Sequence, residues 1–595
     1  MQPADQRRRH AFSRLLFALS IAAAVASVLL AVTGGFTVRP YGIRISAHGA
    51  IRPALLALLF AGLSVRVLPA IRQAQLAARA ARLTLRALPI VAGLAASAVL
   101  VLGLVFGARA AGGSDAYGYV SEAQLWLRGD LHVHQDFAAQ VPWPNADWTF
   151  SPLGYRPAGD HALVPTYASG VPLLMALFTI VFGPCGPYWL NPISGALLVL
   201  LAYGLGVRVS GRVTGVIAAL LVASSPTVLF MSMSPMSDVP AAMFWALALL
   251  LASWPGRGAP VGAGLATGIA IAVRPNLAPL ALFPLLTIVW PLVRRAPRDA
   301  IRKGVAFGIA CLPFLLFIAW VNYDLYGSPL ESGYGKTLAL FHRANAVANI
   351  TRYPRWLWET QGPLVFLFPL AVLIPREPGT RVWLAGVLLG FVAAVWGAYL
   401  WYEPFDAWWY LRFVLPAFPA IFVLAADVVW RGTRKLGTRA RIVAAVLFTC
   451  VAAEHGITQA RARDAFGIGN GEQKYADVGR YVAAYLPENA VVFTMQHSGS
   501  IRYYSRRRTI RWEQLDSGWL DRAIDHLRAS GFEPYFILEE WEVARFREHF
   551  ATQKSVAAVD RTPRAYHSRG VYIYETGPTA GSAAPVSIPR TTGCE

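Results

Sequence analysis

The sequence predicts an all-α polytopic membrane domain followed by a small α/β domain outside the bilayer. Three observations carry this prediction. Of 595 residues, 55% are hydrophobic, and mean hydropathy is +0.44. Only 15% are charged, against about 25% in average soluble proteins. Apolar runs of helical length recur up to residue 455, after which short strand patterns alternate with amphipathic helices. This composition excludes a disordered chain, a collagen-like chain, a disulfide scaffold and an ordinary soluble enzyme.

A helix needs about 20 mostly apolar residues to cross the hydrocarbon core. About 13 segments meet or approach that length: 13–32, 53–69, 88–108, 190–207, 213–231, 239–254, 260–273, 277–293, 304–321, 363–374, 382–401, 413–430 and 442–455. Basic clusters orient them. Arg7 to Arg9, Arg72 to Arg86, Arg294 to Lys303, Arg376 with Arg381, and Arg431 to Arg441 share one side if the amino terminus is cytoplasmic. The apolar segment 171–182 is too short to span and reads as a re-entrant or interfacial helix in the outer leaflet. Leaving it out keeps Arg208 and Arg212 inside, and the odd count puts the carboxyl terminus outside. The first apolar stretch is too long for a signal peptide and reads as a retained span. A net charge of +21 thus reflects membrane orientation rather than nucleic-acid binding. The expected location is a bacterial inner membrane, with a periplasmic carboxyl-terminal domain.

The expected organisation follows. Residues 1–110 form amino-terminal transmembrane helices, 111–188 a first long outer loop with juxtamembrane helices, and 189–458 a transmembrane core. Residues 461–577 form the soluble domain, with helices near 475–486, 519–529 and 541–550 and strands at 490–494, 508–512, 535–538 and 570–574. Residues 578–595, rich in Pro, Ser, Gly and Thr, read as a disordered tail. Cys185, Cys311, Cys450 and Cys594 show no CxxC or metal spacing, and predict neither a disulfide framework nor a zinc site. No internal repeat, Walker A, GxGxxG or HExxH pattern is present.

The chemistry concentrates in the loops. After Ser114, a suitable N-cap, an amphipathic helix places Asp115, Tyr119, Glu122 and Trp126 on one face. Asp115 is placed to accept a proton or orient a cation, or else simply favours the helix N-terminus while Glu122 faces water. Asp238, in a short outer loop, is either a site carboxylate or the N-cap of the next helix. Arg274 lies on the outer side against the general charge bias. It could hold a phosphate with its guanidinium or snorkel to head groups. Arg412 follows Trp401, Tyr402, Trp408, Trp409 and Tyr410, which make either a sugar-stacking platform or an interfacial belt. His132, His134 and Asp136 form an HxHxD pattern that could bind a divalent cation or belong to a solvated loop. Arg156 could contact phosphate; Glu331, Tyr334 and Lys336 are weaker candidates. The run 500–512, with Arg502, Arg506, Arg507, Arg508 and Arg511 among aromatics, suits an anionic glycan or phospholipid, or an ordinary basic strand.

Several stretches in order resemble the GT-C superfamily of membrane glycosyltransferases, near glycosyltransferase family 39, which includes protein O-mannosyltransferases and the lipid A aminoarabinose transferase. They are SDAYGYVSEAQLWLRGDL, SPLGYRPAGDHALVPTYASGVPLLMA, SPMSDVP, AVRPN, NYDLYGSPLESGYG and WWYLRFVLPAFP, between Gly112 and Pro419. The resemblance implies a GT-C-like fold and transfer of a sugar from a polyprenyl-phosphate or diphosphate carrier to an acceptor on the outer face. It implies Asp115 as the base and Asp238 as a second carboxylate of the site; the reading that follows is an inverting transferase in which Asp238 and Glu122 orient acceptor or cation and Arg274 and Arg412 hold the phosphate. Two extra spans precede Asp115 here, and an even number preserves its sidedness. Some relatives use a divalent cation and others none, so the resemblance makes no cofactor certain and leaves a divalent cation open. The expected partners are a polyprenyl-phosphate sugar donor, a glycan, lipid or protein acceptor, and membrane lipids. The rival classes are a transporter or flippase of lipid-linked sugars, whose inverted repeats are not found, and a non-catalytic scaffold.

Overall fold

A computed structural model of the protein describes residues 3–33, 36–38, 45–47, 51–66, 70–335, 340–375, 382–577, 584–591 and 593–594. Lys336, Arg376 and Arg381 lie outside the described residues. The chain divides into two compact units, Met1–Leu88 and Pro89–Glu595. In the first, helices Pro3–Thr33 and Ile51–Arg66 pack together, and strands Phe36–Val38 and Ile45–Ala47 pair antiparallel. The Ser13 and Ser20 hydroxyls donate to the Ser64 and Ala57 carbonyls, both at 2.8 Å. Two hydroxyls facing an opposing helix let the pair approach closely in an otherwise apolar setting.

All of the functional candidates fall in the second unit. Every apolar segment singled out in the sequence contains α- or 3-10 helix, but their lengths differ from the expectation. By length and composition, five helical stretches among the described residues can cross a membrane: Leu85–Phe106, Gly170–Ser210, Pro297–Tyr326, Trp383–Leu400 and Trp408–Ala462. A sixth arises if Arg212–Ser224 and Pro226–Ser232, bent by 62°, count as one span. The expected count of about 13 is therefore not confirmed. Proline shortens several segments. Pro226 starts a new helix after Ser225, and Pro275 and Pro279 turn the first part of segment 277–293 into a 3-10 helix, Pro275–Ala281. Segments 239–254 and 260–273 form helices Asp238–Ala252 and Ala259–Val273, only 15 residues each. Trp245, Phe391, Phe418 and Phe422 are the largest side chains fully buried between these helices.

The carboxyl-terminal domain is a six-stranded mixed sheet between two layers. Its strand order is Val586–Ser587, Ala565–His567, Val571–Glu575, Glu533–Glu539, Ala490–Phe493, Arg508–Ile510. The last three strands run parallel, as alternating strand and helix patterns imply. One face packs helices Leu520–Ala529 and Glu540–His549 through Trp512, Phe536 and Phe546; the same core takes in Trp143 and Phe150 of the first outer loop. The other face packs helix Ile468–Tyr485 through Val478 and Val482.

Within the expected disordered tail, residues 584–591 and 593–594 are placed by this sheet and its neighbours, and the rest of the tail lies outside the described residues. Val586–Ser587 pairs parallel with Ala565–His567, Ile588 is buried, and Thr591 donates its backbone N–H to Asp477 at 2.8 Å. The reading of the cysteines is corrected. Cys594 forms a disulfide with Cys185, 409 residues away, with Cα atoms 5.2 Å apart. Sequence spacing cannot reveal a pair that only the fold brings together.

Candidate active site

Helix Asp115–Arg128 begins where the sequence placed it. Ser114 does not cap it, however; its hydroxyl shares a 2.6 Å hydrogen bond with Tyr167 instead. Helix Asp238–Ala252 likewise has Ser237, not Asp238, at its N-cap position, without a side-chain cap bond. Asp238 is the first helical residue, and its carboxylate is turned to an arginine.

Four charged side chains from four separate stretches meet here. Arg274 Nη2 donates to Asp238 Oδ1 at 2.5 Å, and Arg412 Nη2 to Asp115 Oδ2 at 2.9 Å. Arg412 Nη1 lies 3.9 Å from Asp238 Oδ2, so Arg412 stands between the two carboxylates. Asp238 is fully buried, whereas the Asp115 side chain is 28% exposed. The cluster is electroneutral, which is what permits its burial. The Arg412 Nε–H and Asp238 Oδ2 are buried without a hydrogen-bond partner among the described residues.

Neutral groups hold the arginines in place. Arg274 Nε donates to Ser237 Oγ at 3.1 Å, and Tyr119 OH donates to the same oxygen at 3.1 Å. Tyr399 OH accepts from Arg274 Nη1 at 3.4 Å and from Asn276 Nδ2 at 3.0 Å. Aromatic rings pack beside both guanidiniums. Arg412 lies 5.2 Å from the Phe413 ring centre and 5.5 Å from that of Tyr410. Tyr399 stacks on Phe413, and Phe405 on Tyr410. This aromatic group thus serves the charges, while Trp401 and Trp409 stay exposed at its edge. Ser237, Asn276 and Tyr399 were not singled out in the sequence. Ser237 and Asn276 lie inside the SPMSDVP and AVRPN stretches, beside residues that were, and adjacency was the available signal.

The remaining candidates separate from this centre. Glu122 does not face water: it is fully buried and accepts from Trp126 Nε1 at 3.1 Å. Burial pushes its carboxyl up to about 8, against the opposing pull of hydrogen bonding. Arg156 points to the second long loop, donating to the Gly333 carbonyl at 3.3 Å and lying over the Tyr326 ring. Its expected phosphate role therefore has a structural competitor. His132, His134 and Asp136 are not assembled as ligands, and no trio of His, Cys, Asp or Glu among the described residues is. The extended backbone that would align them ends at His134, and Asp136 opens a 3-10 helix.

Three arginines of the basic run of the carboxyl-terminal domain are engaged within the protein, while Arg506 is exposed. Arg502 is held by Gln135 Oε1 at 2.6 Å and the Phe150 carbonyl at 2.5 Å, and Arg511 pairs with Glu513. Arg508 lies over the Phe137 and Phe532 rings. These three arginines tie the soluble domain to the first outer loop and to itself.

A cleft lined by Tyr167, Ser169, Ala272, Pro275, Phe317 and Tyr326 runs beside the loops that carry Asp115 and Arg274. No family model matches the sequence, and no curated protein is similar to it at the sequence level. Solved structures are similar in fold. ArnT from Cupriavidus metallidurans, bound to undecaprenyl phosphate, superposes with a TM-score of 0.53 at 14% identity, over 82% of this chain and 98% of that one. The apo state of the same protein gives 0.52 at 13% identity, over 81% and 97%. An oligosaccharyltransferase, AglB from Archaeoglobus fulgidus, gives 0.48 at 15% identity, over 82% and 74%. The chain therefore has the fold of ArnT.

Proposed function

We propose that this protein is an inverting membrane glycosyltransferase that moves a sugar from a polyprenyl-phosphate-linked donor to an acceptor on the extracytoplasmic face. The observation that carries this reading is the bridge of Arg412 between Asp115 and Asp238, with Arg274 on the far side of Asp238. Glycosyl transfer of this kind needs a base for the acceptor hydroxyl and fixed cations for the departing phosphate. Both are present within one cluster.

In this mechanism the acceptor oxygen attacks the anomeric carbon as its proton passes to Asp115. The bond from that carbon to the phosphate oxygen breaks, and the electron pair leaves with the lipid phosphate. Arg412 and Arg274 take up the charge that grows there. An arriving phosphate would compete with Asp115 for Arg412, freeing the carboxylate to act as base. The orphaned Arg412 Nε–H gives that phosphate a further donor. Asp238 keeps Arg274 in place and charged.

Two features support the donor and the side. The fold neighbour ArnT is bound to undecaprenyl phosphate, a lipid phosphate of the proposed class. The Cys185–Cys594 disulfide suits an oxidising compartment, in accord with the orientation that the basic clusters imply. The test is turnover of a panel of polyprenyl-phosphate sugars by the protein in lipid nanodiscs, compared with Asp115→Asn. The expected result is transfer or hydrolysis by wild type and a loss of about a hundredfold in the variant. Equal turnover would remove Asp115 as the base, and binding of lipid-linked sugar without turnover would favour a transporter.

A further inference from the structure

The segment that delivers Asp115 is gripped from two directions. Before it, the Ala108 N–H donates to the Met233 carbonyl at 2.8 Å, a contact with the loop that leads to Asp238. Four residues ahead of Asp115, the buried Ala111 N–H donates to Tyr504 OH at 2.9 Å. Without that hydroxyl the amide would be a buried, unpaired donor. Next, Gly112 lies flat against the Tyr475 ring: a Cβ there would stand 2.1 Å from Cδ2. Gly113 takes φ +58°, a conformation natural to glycine, beside the Gln496 amide. Gln496 in turn donates to Tyr475 OH at 3.0 Å.

The grip continues along the helix. Tyr117 packs on Gly499, where a Cβ would come within 2.1 Å of its ring. Gln124 Nε2 donates to Tyr503 OH at 2.6 Å. Tyr503, Tyr504 and Gly499 all belong to one short helix of the carboxyl-terminal domain, Ser498–Ser505. That helix has a rigid support, because the half-buried Arg502 within it is tied to the Phe150 carbonyl, Gln135 and Thr509.

We infer that the carboxyl-terminal domain is part of the catalytic apparatus, with Tyr504 and Tyr475 as positioning residues that set where Asp115 stands relative to Arg412 and Asp238. This rests on the proposed role of Asp115 as base. The physical reason is that general-base catalysis depends steeply on distance, and displacement of about 1 Å can cost a hundredfold. A separate domain that clamps the three residues before the base, and the face of its helix, controls that distance from outside the membrane.

The experiment uses the full-length protein in nanodiscs and two readouts. Hydrogen exchange of peptides covering 109–119 reports the grip itself, and steady-state turnover of a polyprenyl-phosphate sugar reports its consequence. Tyr504→Phe, which keeps the ring and removes the acceptor, is expected to speed exchange over 111–119 and lower kcat about fivefold, with KM for the donor unchanged. Gly112→Ala should do the same with a loss nearer a hundredfold. Arg528→Ala, on the far side of the domain, should change neither. Exchange identical to wild type in Tyr504→Phe overturns the inference, as does faster exchange with unaltered kcat. Faster exchange in a protein whose wild type turns over no donor supports the grip and defeats the transferase reading instead.

Discussion

Arg274 Nη2 and Asp238 Oδ1 lie 2.5 Å apart, and the Asp238 side chain is fully buried. This pair joins the end of one helix, Ala259–Val273, to the start of another, Asp238–Ala252. Removing one partner strands a buried charge, which costs about 3–5 kcal/mol. Asp238→Asn and Arg274→Met are therefore each expected to lower thermal stability by an amount in that range. The double variant should lose much less than the sum. Thermal unfolding of the three variants in lipid, read as a double-mutant cycle, checks it; simple additivity would show that the two residues do not act as a pair.

Glu122 makes stability depend on pH. Its carboxyl moves from 4.5 in its ordinary state up to about 8 when buried. Between those values the folded protein holds a proton that the unfolded chain lacks. Its stability contribution is thus fully present below about pH 4.5 and is lost as pH rises through 8. Glu122→Gln keeps the shape and cannot ionise. Relative to wild type, the variant should gain on the order of 4 kcal/mol between pH 5 and pH 9. Melting curves of both proteins across that range decide the matter, and a difference that stays constant with pH would contradict it.

The Cys185–Cys594 disulfide closes a loop of 409 residues. Cross-links of this kind stabilise by about 2–4 kcal/mol. Reductant is expected to lower the unfolding temperature of the wild type, and Cys594→Ser should lower it equally while abolishing the response to reductant. The other two cysteines, Cys311 and Cys450, are free, so a reductant effect that survives Cys594→Ser would mean the disulfide is not the element responsible.

Much of this fold is legible in the sequence because membrane burial and strand alternation are written locally. The apolar segments and the Ala490–Phe493, Arg508–Ile510, Glu533–Glu539 and Val571–Glu575 strands follow from periodicity over a few residues. So does the face shared by Tyr119, Glu122 and Trp126. Strands Ala565–His567 and Val586–Ser587 escaped, since strands of three and two residues have too little pattern to read.

By itself, the sequence determined the membrane class, the two-part architecture, and Asp115, Asp238, Arg274 and Arg412 as charges placed against apolar surroundings. Such charges are costly unless compensated, so their mere presence is a signal. Tertiary structure alone decided how they are compensated. It put Arg412 against Asp115 across 297 residues, sent Arg156 to the Gly333 carbonyl, separated His132, His134 and Asp136, and joined Cys185 to Cys594. Pairing of this kind depends on distances in space, and no local spacing encodes them.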